Sequence, residues 1–110
     1  MKSLFAKIID REIPSEIVFE TEHVIVIKDI HPQAPIHLLI IIKKQIPNLQ
    51  SIKSSDLYLI EEVIKAAQKT AQILEVKDYR LLTNNGELSG QTIFHLHFHF
   101  LAGRELKGLG

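Results

Sequence analysis

The chain has 110 residues, enough for one domain with a single core and too few for two. Thirteen lysines and arginines balance thirteen aspartates and glutamates, which argues against the broad basic surface of a dedicated nucleic-acid binder but leaves room for a small anionic ligand. There is no cysteine, so disulfides, thiolate metal centres and a cysteine nucleophile are excluded.

The opening stretch Met1 to Lys7 is too charged for a secretory signal. The longest unbroken apolar run, Leu38 to Ile42, is far shorter than the roughly 20 residues a membrane-spanning helix needs. Cytoplasmic residence, away from membranes, is the expectation. Ser3 is placed to cap a short helix from Leu4 to about Asp10, with Phe5, Ile8 and Ile9 on its inner face and Pro14 ending the segment. Strands are predicted at Ile17 to Glu20 and His23 to Lys28, joined by a tight turn at Thr21-Glu22. Asp29 to Pro35 carries Pro32 and Pro35 and reads as a loop, because proline fixes φ and removes a backbone donor.

His37 to Lys43 is a continuous aliphatic run, the pattern of a central strand covered on both faces. Ser54 and Ser55 offer cap hydroxyls, and Asp56 suits the positive end of a helix dipole. Leu57, Ile60, Ile64, Ala67, Ala71 and Leu74 then recur at helical spacing, predicting a long helix that buries this stripe against a sheet and pairs Glu61 with Lys65 outside. Tyr79 to Thr83 is a further strand. A glycine-containing loop from Asn84 to Gly90 leads into Phe94 to Leu101, and the tail from Gly103 onward, with three glycines, is expected to be loose or partner-bound. Runs of strands with short links predict an α+β fold rather than alternating βαβ units.

His95, His97 and His99 alternate with Phe94, Leu96, Phe98 and Phe100. A period of two belongs to a strand, so three imidazoles project from one face, roughly 7 Å apart, and the apolar residues from the other. Such a face suits two chemistries. It can bind a divalent metal, although metal-bound nitrogens need to converge to about 3 Å and alternate strand positions do not favour that. It can also serve phosphoryl transfer without metal, one neutral ring attacking phosphorus while its neighbours donate to the oxygens. Gly86 to Gly90 with Gln91 and Thr92 offers amides and a hydroxyl just before the histidines, which suits a phosphate and equally suits an ordinary turn. Asp29 is placed to accept from sugar hydroxyls, though a loop aspartate is commonly just solvated.

His95-Leu96-His97-Phe98-His99-Phe100-Leu101 resembles the histidine triad motif. Ser3 to Ile9, Ile13-Pro14-Ser15, Asp29 to His37, Gly90 to Phe94 and Leu101 to Arg104 extend the resemblance to the histidine triad nucleotide-binding (Hint) branch, over about residues 3 to 104. The resemblance implies a HIT-like fold with a five-stranded antiparallel sheet, one long and one short helix, and a homodimer whose sheets join across the subunits. It implies one domain over residues 1–110, with the last few residues a flexible tail, and no metal or other cofactor.

The implied activity is that of a purine nucleoside phosphoramidase, cleaving the P–N bond of AMP or GMP phosphoramidates and acting on related aminoacyl-adenylates. By position, His97 is then the nucleophile, His99 binds phosphate and assists the leaving group, and His95 and His37 complete the network. Asp29 holds the ribose, Asn84 and the Thr92 hydroxyl bond the phosphate or the leaving group, and Gln91, after the glycine loop, is a further substrate-binding residue. Phe5, Ile8, Ile27 and Ile30 line the base pocket. A Fhit-like dinucleoside polyphosphate hydrolase shares the triad, but the proline loop and short length favour the Hint branch. A nucleotide-binding or interaction protein with little activity is the reading from a different class. Thr92 stands where serine is frequent, Ile42 where proline is, Gln45 where histidine is, and Ile27 replaces an aromatic of some relatives. The tail lacks a tryptophan seen in some members.

Overall fold

The computed structural model describes residues 2–108. Its elements are α1 (Leu4–Ile9), β1 (Ile17–Glu20), β2 (Val24–Lys28), β3 (Ile36–Ile42), α2 (Tyr58–Leu74), β4 (Arg80–Leu82) and β5 (His97–Ala102), with single 3-10 turns at Ser54–Asp56 and Glu87–Ser89. The strands form one antiparallel sheet in the order β1-β2-β3-β5-β4. This is the α+β arrangement that the sequence predicts, with one long and one short helix. Among the described residues no helix is long and apolar enough to cross a membrane.

The register sets which residues meet. His37 lies opposite Leu101, Leu39 opposite His99, and Ile41 opposite His97. Opposed residues share a face of the sheet, so His37 joins His97 and His99 on one side. Over that side lies α1, whose Phe5 and Ile8 pack with Ile25, Ile27, Leu39 and Ile41. The other face carries Val24, Val26, Leu38, Ile40, Ile42 and Phe100, buried beneath α2. The aliphatic run of β3 is therefore covered on both sides, as its composition demands. Burying each such side chain favours the fold by about 1.5–3 kcal/mol.

Ser3 caps α1 as expected, its hydroxyl accepting from the Ala6 N–H at 3.0 Å. The cap of α2 differs from expectation. Asp56 is buried and held by Lys44 at 2.9 Å, and its N–H closes the 3-10 turn on the Lys53 carbonyl. Leu57 occupies the cap position with no side-chain bond, so neither Ser54 nor Ser55 caps the helix.

The buried face of α2 is also rotated from the predicted stripe. Leu59, Val63, Ala66, Ala67, Thr70 and Ala71 face the sheet, whereas Leu57 and Ile64 are 52% and 44% exposed. The helix has two apolar stripes that share Ala67 and Ala71. The one with more small residues lets its axis approach the sheet, leaving the bulkier one outside.

β5 begins three residues later than the predicted strand. Residues 93–95 bend, and Leu96 pairs outside the ladder, its N–H donating to the Ile46 carbonyl. Phe94, expected on the apolar face, is 51% exposed as a result. Beyond β5 the tail is anchored at several points. Gly103 takes φ +98° against Pro35, Arg104 donates to the Gln33 carbonyl, and the Leu106 carbonyl accepts from Arg80.

Candidate active site

Four imidazoles converge from two strands and the bend before β5, and their partners fix where each proton sits. A backbone N–H can only donate and a carbonyl can only accept, so each such bond dictates a tautomer of a neutral ring. The Gln33 N–H donates to His37 Nδ1 at 2.9 Å, which leaves the His37 proton on Nε2. That Nε2 lies 2.9 Å from His99 Nδ1 and 3.4 Å from Asp29 Oδ2. His99 Nδ1 therefore accepts, and its own proton sits on Nε2. His97 Nδ1 donates to the His95 carbonyl at 2.7 Å, so its Nε2 carries a bare lone pair. His97 and His99 are neighbours, with ring centroids 5.3 Å apart. The pair thus offers one nucleophilic nitrogen beside one N–H donor.

Burial keeps these rings neutral. It pushes the pKa of His37, His95 and His97 down, and Asp29 only partly offsets this at His37 and His97. His99 falls to about 4, chiefly through burial and then through the neighbouring His97 and His37. The consequence for stability has a definite sign. Below the ordinary imidazole value of about 6.5 the unfolded chain takes up protons that the folded chain refuses. Stability is then level above that value with respect to these groups, and falls steadily as pH drops from about 6.5 toward the His99 value of about 4. Urea midpoints measured at pH 7 and pH 5 should show a clear loss at pH 5. Equal midpoints would contradict the buried neutral histidines.

His95 plays a different part from its two partners. It is fully buried, with Nε2 donating to the Ile42 carbonyl at 2.7 Å and Nδ1 accepting from the Ser3 hydroxyl at 2.9 Å. The imidazole has no free nitrogen, and its contribution is the carbonyl that orients His97. Phe5 stands edge-on to the His97 ring at 4.8 Å, so the α1 segment both ties down His95 through Ser3 and walls the His97 ring.

A cavity of about 420 Å³ opens beside His99 and His37, within the range of small-molecule sites. Phe5, Ile8 and Ile27 form its apolar wall and Asp29 and Thr92 its polar side, while Ile30, 82% exposed, stands at the mouth. Asp29 Oδ1 is held by the His31 N–H at 2.7 Å. His97 is outside the lining. Asn84 is outside it too, and its carboxamide nitrogen would stand 3.6 Å from a Cβ built on Gly90. Asn84 follows Thr83, whose hydroxyl donates to the His97 carbonyl at 2.7 Å.

Gln91, a candidate for the phosphate side, points inward instead. Its Oε1 accepts from the Gly86 N–H, its Nε2 donates to the carbonyls of Pro47 and Ile93, and its backbone N–H is bonded to the Gly86 carbonyl. All of these groups shape the loop, so none is available to a ligand. A larger cavity of about 690 Å³ lies between residues 76–80 and 103–106 and contains none of the candidate residues.

By distance alone Asp29, His37 and His99 could hold a metal, since one ligand atom from each lies within 4.8 Å of the others. The donor set fits poorly. His37 Nδ1 is occupied by a backbone N–H, so metal on Nε2 would require an imidazolate. The residues that local pattern could not reveal are Gln33, which acts through its backbone N–H, and Ser3, which meets His95 from 92 positions away.

Comparison with known proteins agrees with this architecture. Residues 10–106 match the sequence profile of the HIT domain family. A HIT-like protein of Chlamydia pneumoniae is 49% identical over 108 residues, covering 97% of this chain and 98% of its own. Among solved structures, a HIT family hydrolase from Clostridium thermocellum superposes with TM-score 0.94 at 47% identity, covering 98% of this chain and 96% of that one. A histidine triad protein from Clostridium difficile gives TM-score 0.93 at 31% identity over the full length of both chains.

Proposed function

Because the chain belongs to the HIT domain family, we propose that it is a hydrolase, specifically a purine nucleoside phosphoramidase working through a covalent nucleotidyl-histidine. The observation that carries this reading is the fixed pair of tautomers, a bare Nε2 on His97 beside an N–H donor on His99, the latter lining a nucleotide-sized cavity. The purine lies against Phe5, Ile8, Ile27 and Ile30, and Asp29 accepts from the ribose hydroxyls. His99 Nε2–H and the Thr92 hydroxyl donate to the phosphate oxygens. Asn84, next to the residue that braces the His97 carbonyl, serves the leaving-group side.

The chemistry takes two displacements. His97 Nε2 attacks phosphorus and forms the N–P bond while the P–N bond to the amine breaks. The leaving nitrogen keeps that electron pair and departs as a neutral amine, with a proton that entered on the substrate nitrogen. The imidazolium character at His97 is stabilised by the His95 carbonyl on Nδ1–H. Water then attacks phosphorus, His97 leaves with its electron pair, and the water proton passes to the amine or to solvent. His37 holds the His99 donor in place throughout.

The test is AMP release from adenosine 5′-phosphoramidate by wild-type protein with chelator present. Turnover is expected. A folded protein that binds AMP but releases none would sink the phosphoramidase reading, and diadenosine polyphosphates would be the next substrates to try.

The active species in this reading is a homodimer. The outer stripe of α2, with Leu57, Ile64 and Leu74 exposed, and the free edge at β4 are both unsatisfied in one copy. A second copy that pairs β4 with β4 and packs α2 on α2 covers them together. Sedimentation should give a dimer mass for wild type and a shift toward monomer for Ile64→Glu. A monomeric wild type at micromolar concentration would contradict this.

A further inference from the structure

We propose that Arg104, a residue outside the active site, positions the catalytic pair by gripping Gln33 and so fixing the tautomers of His37 and His99. This inference rests on the proposed function for its kinetic consequence but not for its structural one. Its basis is a set of hydrogen bonds that meet at Gln33, whose carbonyl and N–H lie on the two peptide units flanking its Cα. Arg104 Nη2 donates to the Gln33 carbonyl at 2.9 Å, and the Gln33 N–H donates to His37 Nδ1 at 2.9 Å. His37 Nε2–H then donates to His99 Nδ1 at 2.9 Å, which leaves the His99 proton facing the cavity.

Residue 33 is the weak link among these bonds. It lies in an exposed loop between Pro32 and Pro35, and its side chain bonds only within the loop, to the His31 carbonyl at 3.2 Å. Without an external anchor its N–H would wander from His37 Nδ1, leaving only the His99 contact at 2.9 Å and the Asp29 carboxylate at 3.4 Å, both on Nε2, to bias the tautomer. The alternative tautomer would turn a lone pair from His99 toward the phosphate oxygens, where a donor is needed.

The anchor comes from the second residue beyond β5. Gly103 approaches so closely that a Cβ there would stand 2.8 Å from the Pro35 Cβ, and its φ of +98° turns the chain to bring Arg104 over the loop. The second guanidinium nitrogen donates to the Glu105 carbonyl at 2.9 Å, which holds the side chain in that pose. The strand that carries His97 and His99 thus continues into the clasp that sets their partner's proton. Arg104 is otherwise exposed and makes no ion pair among the described residues, so a purely solvated role gives no reason for this geometry.

The test uses full-length protein with 15N-labelled histidine, comparing wild type, Arg104→Ala and Arg104→Lys. Imidazole 15N shifts at neutral pH should show Nε2–H tautomers for both His37 and His99 in wild type. In the alanine variant both should move toward a mixture, with kcat on adenosine 5′-phosphoramidate lowered roughly three- to tenfold and KM little changed. Lysine, which can supply the single donor this bond uses, should restore both. Unchanged His37 and His99 shifts in the alanine variant, or an Nδ1–H tautomer of His37 in wild type, would overturn the inference. If the shifts respond as expected but no variant turns over the phosphoramidate, the positioning role stands and the proposed reaction fails.

Discussion

Replacing His97 by alanine is expected to lower kcat/KM for adenosine 5′-phosphoramidate by at least about a thousandfold while leaving AMP affinity within a few-fold of wild type. Of the four clustered imidazoles His97 is the one whose Nε2 carries a bare lone pair, because its proton sits on Nδ1, committed to the His95 carbonyl. In the proposed mechanism, removing it deletes the atom that forms the bond to phosphorus, and no neighbour can substitute. His99 and His37 share one hydrogen bond, and His95 is buried with both nitrogens occupied. The apolar wall and Asp29 belong to other elements, so the nucleotide should still bind. A variant that keeps more than about a tenth of wild-type kcat/KM would remove His97 from the mechanism.

Phe100→Ala is expected to cost about 3–5 kcal/mol, a large share of the roughly 5–15 kcal/mol that holds a domain together. Phe100 is wholly buried beneath α2 and stacks on Tyr79 with centroids 4.5 Å apart. It pairs with Leu38 on one side and Leu81 on the other, so its side chain locks β5 between β3 and β4. The neighbouring position, His99, points to the opposite face. Loss of the phenyl ring should therefore lower the urea midpoint and also loosen the catalytic strand. A midpoint close to wild type would mean that β5 is held by its ladder rather than by its apolar face.

Those two residues show what the sequence made legible. The alternation of histidine with apolar residues announced a two-faced strand, and β5 has that form from His97 onward. The continuous aliphatic run of β3 announced a doubly covered centre, which the order of the sheet confirms. Period and composition act over a few residues, and there they were sufficient.

What stayed hidden depended on contacts across the chain. α2 carries two overlapping apolar stripes, and helical spacing cannot say which one the sheet selects. The caps offered by Ser54 and Ser55 lost to a distant lysine that draws Asp56 inward. Gln91 looked like a phosphate ligand because of its place after a glycine loop, yet its amide bonds are used inside that loop. The resemblance gives His95 a supporting place in the network, and only the Ser3 hydroxyl and the Ile42 carbonyl show that both of its ring nitrogens are occupied. Backbone donors leave no mark in a sequence, so the role of Gln33 was invisible too.

The stereochemical course at phosphorus tests the two-displacement account most directly. Adenosine phosphorothioamidate of one configuration would be hydrolysed in 18O-labelled water and the product configuration determined. Attack by His97 followed by attack of water gives two inversions, so the account predicts net retention. Net inversion would mean that water displaces the amine directly, and the covalent nucleotidyl-histidine would have to be abandoned.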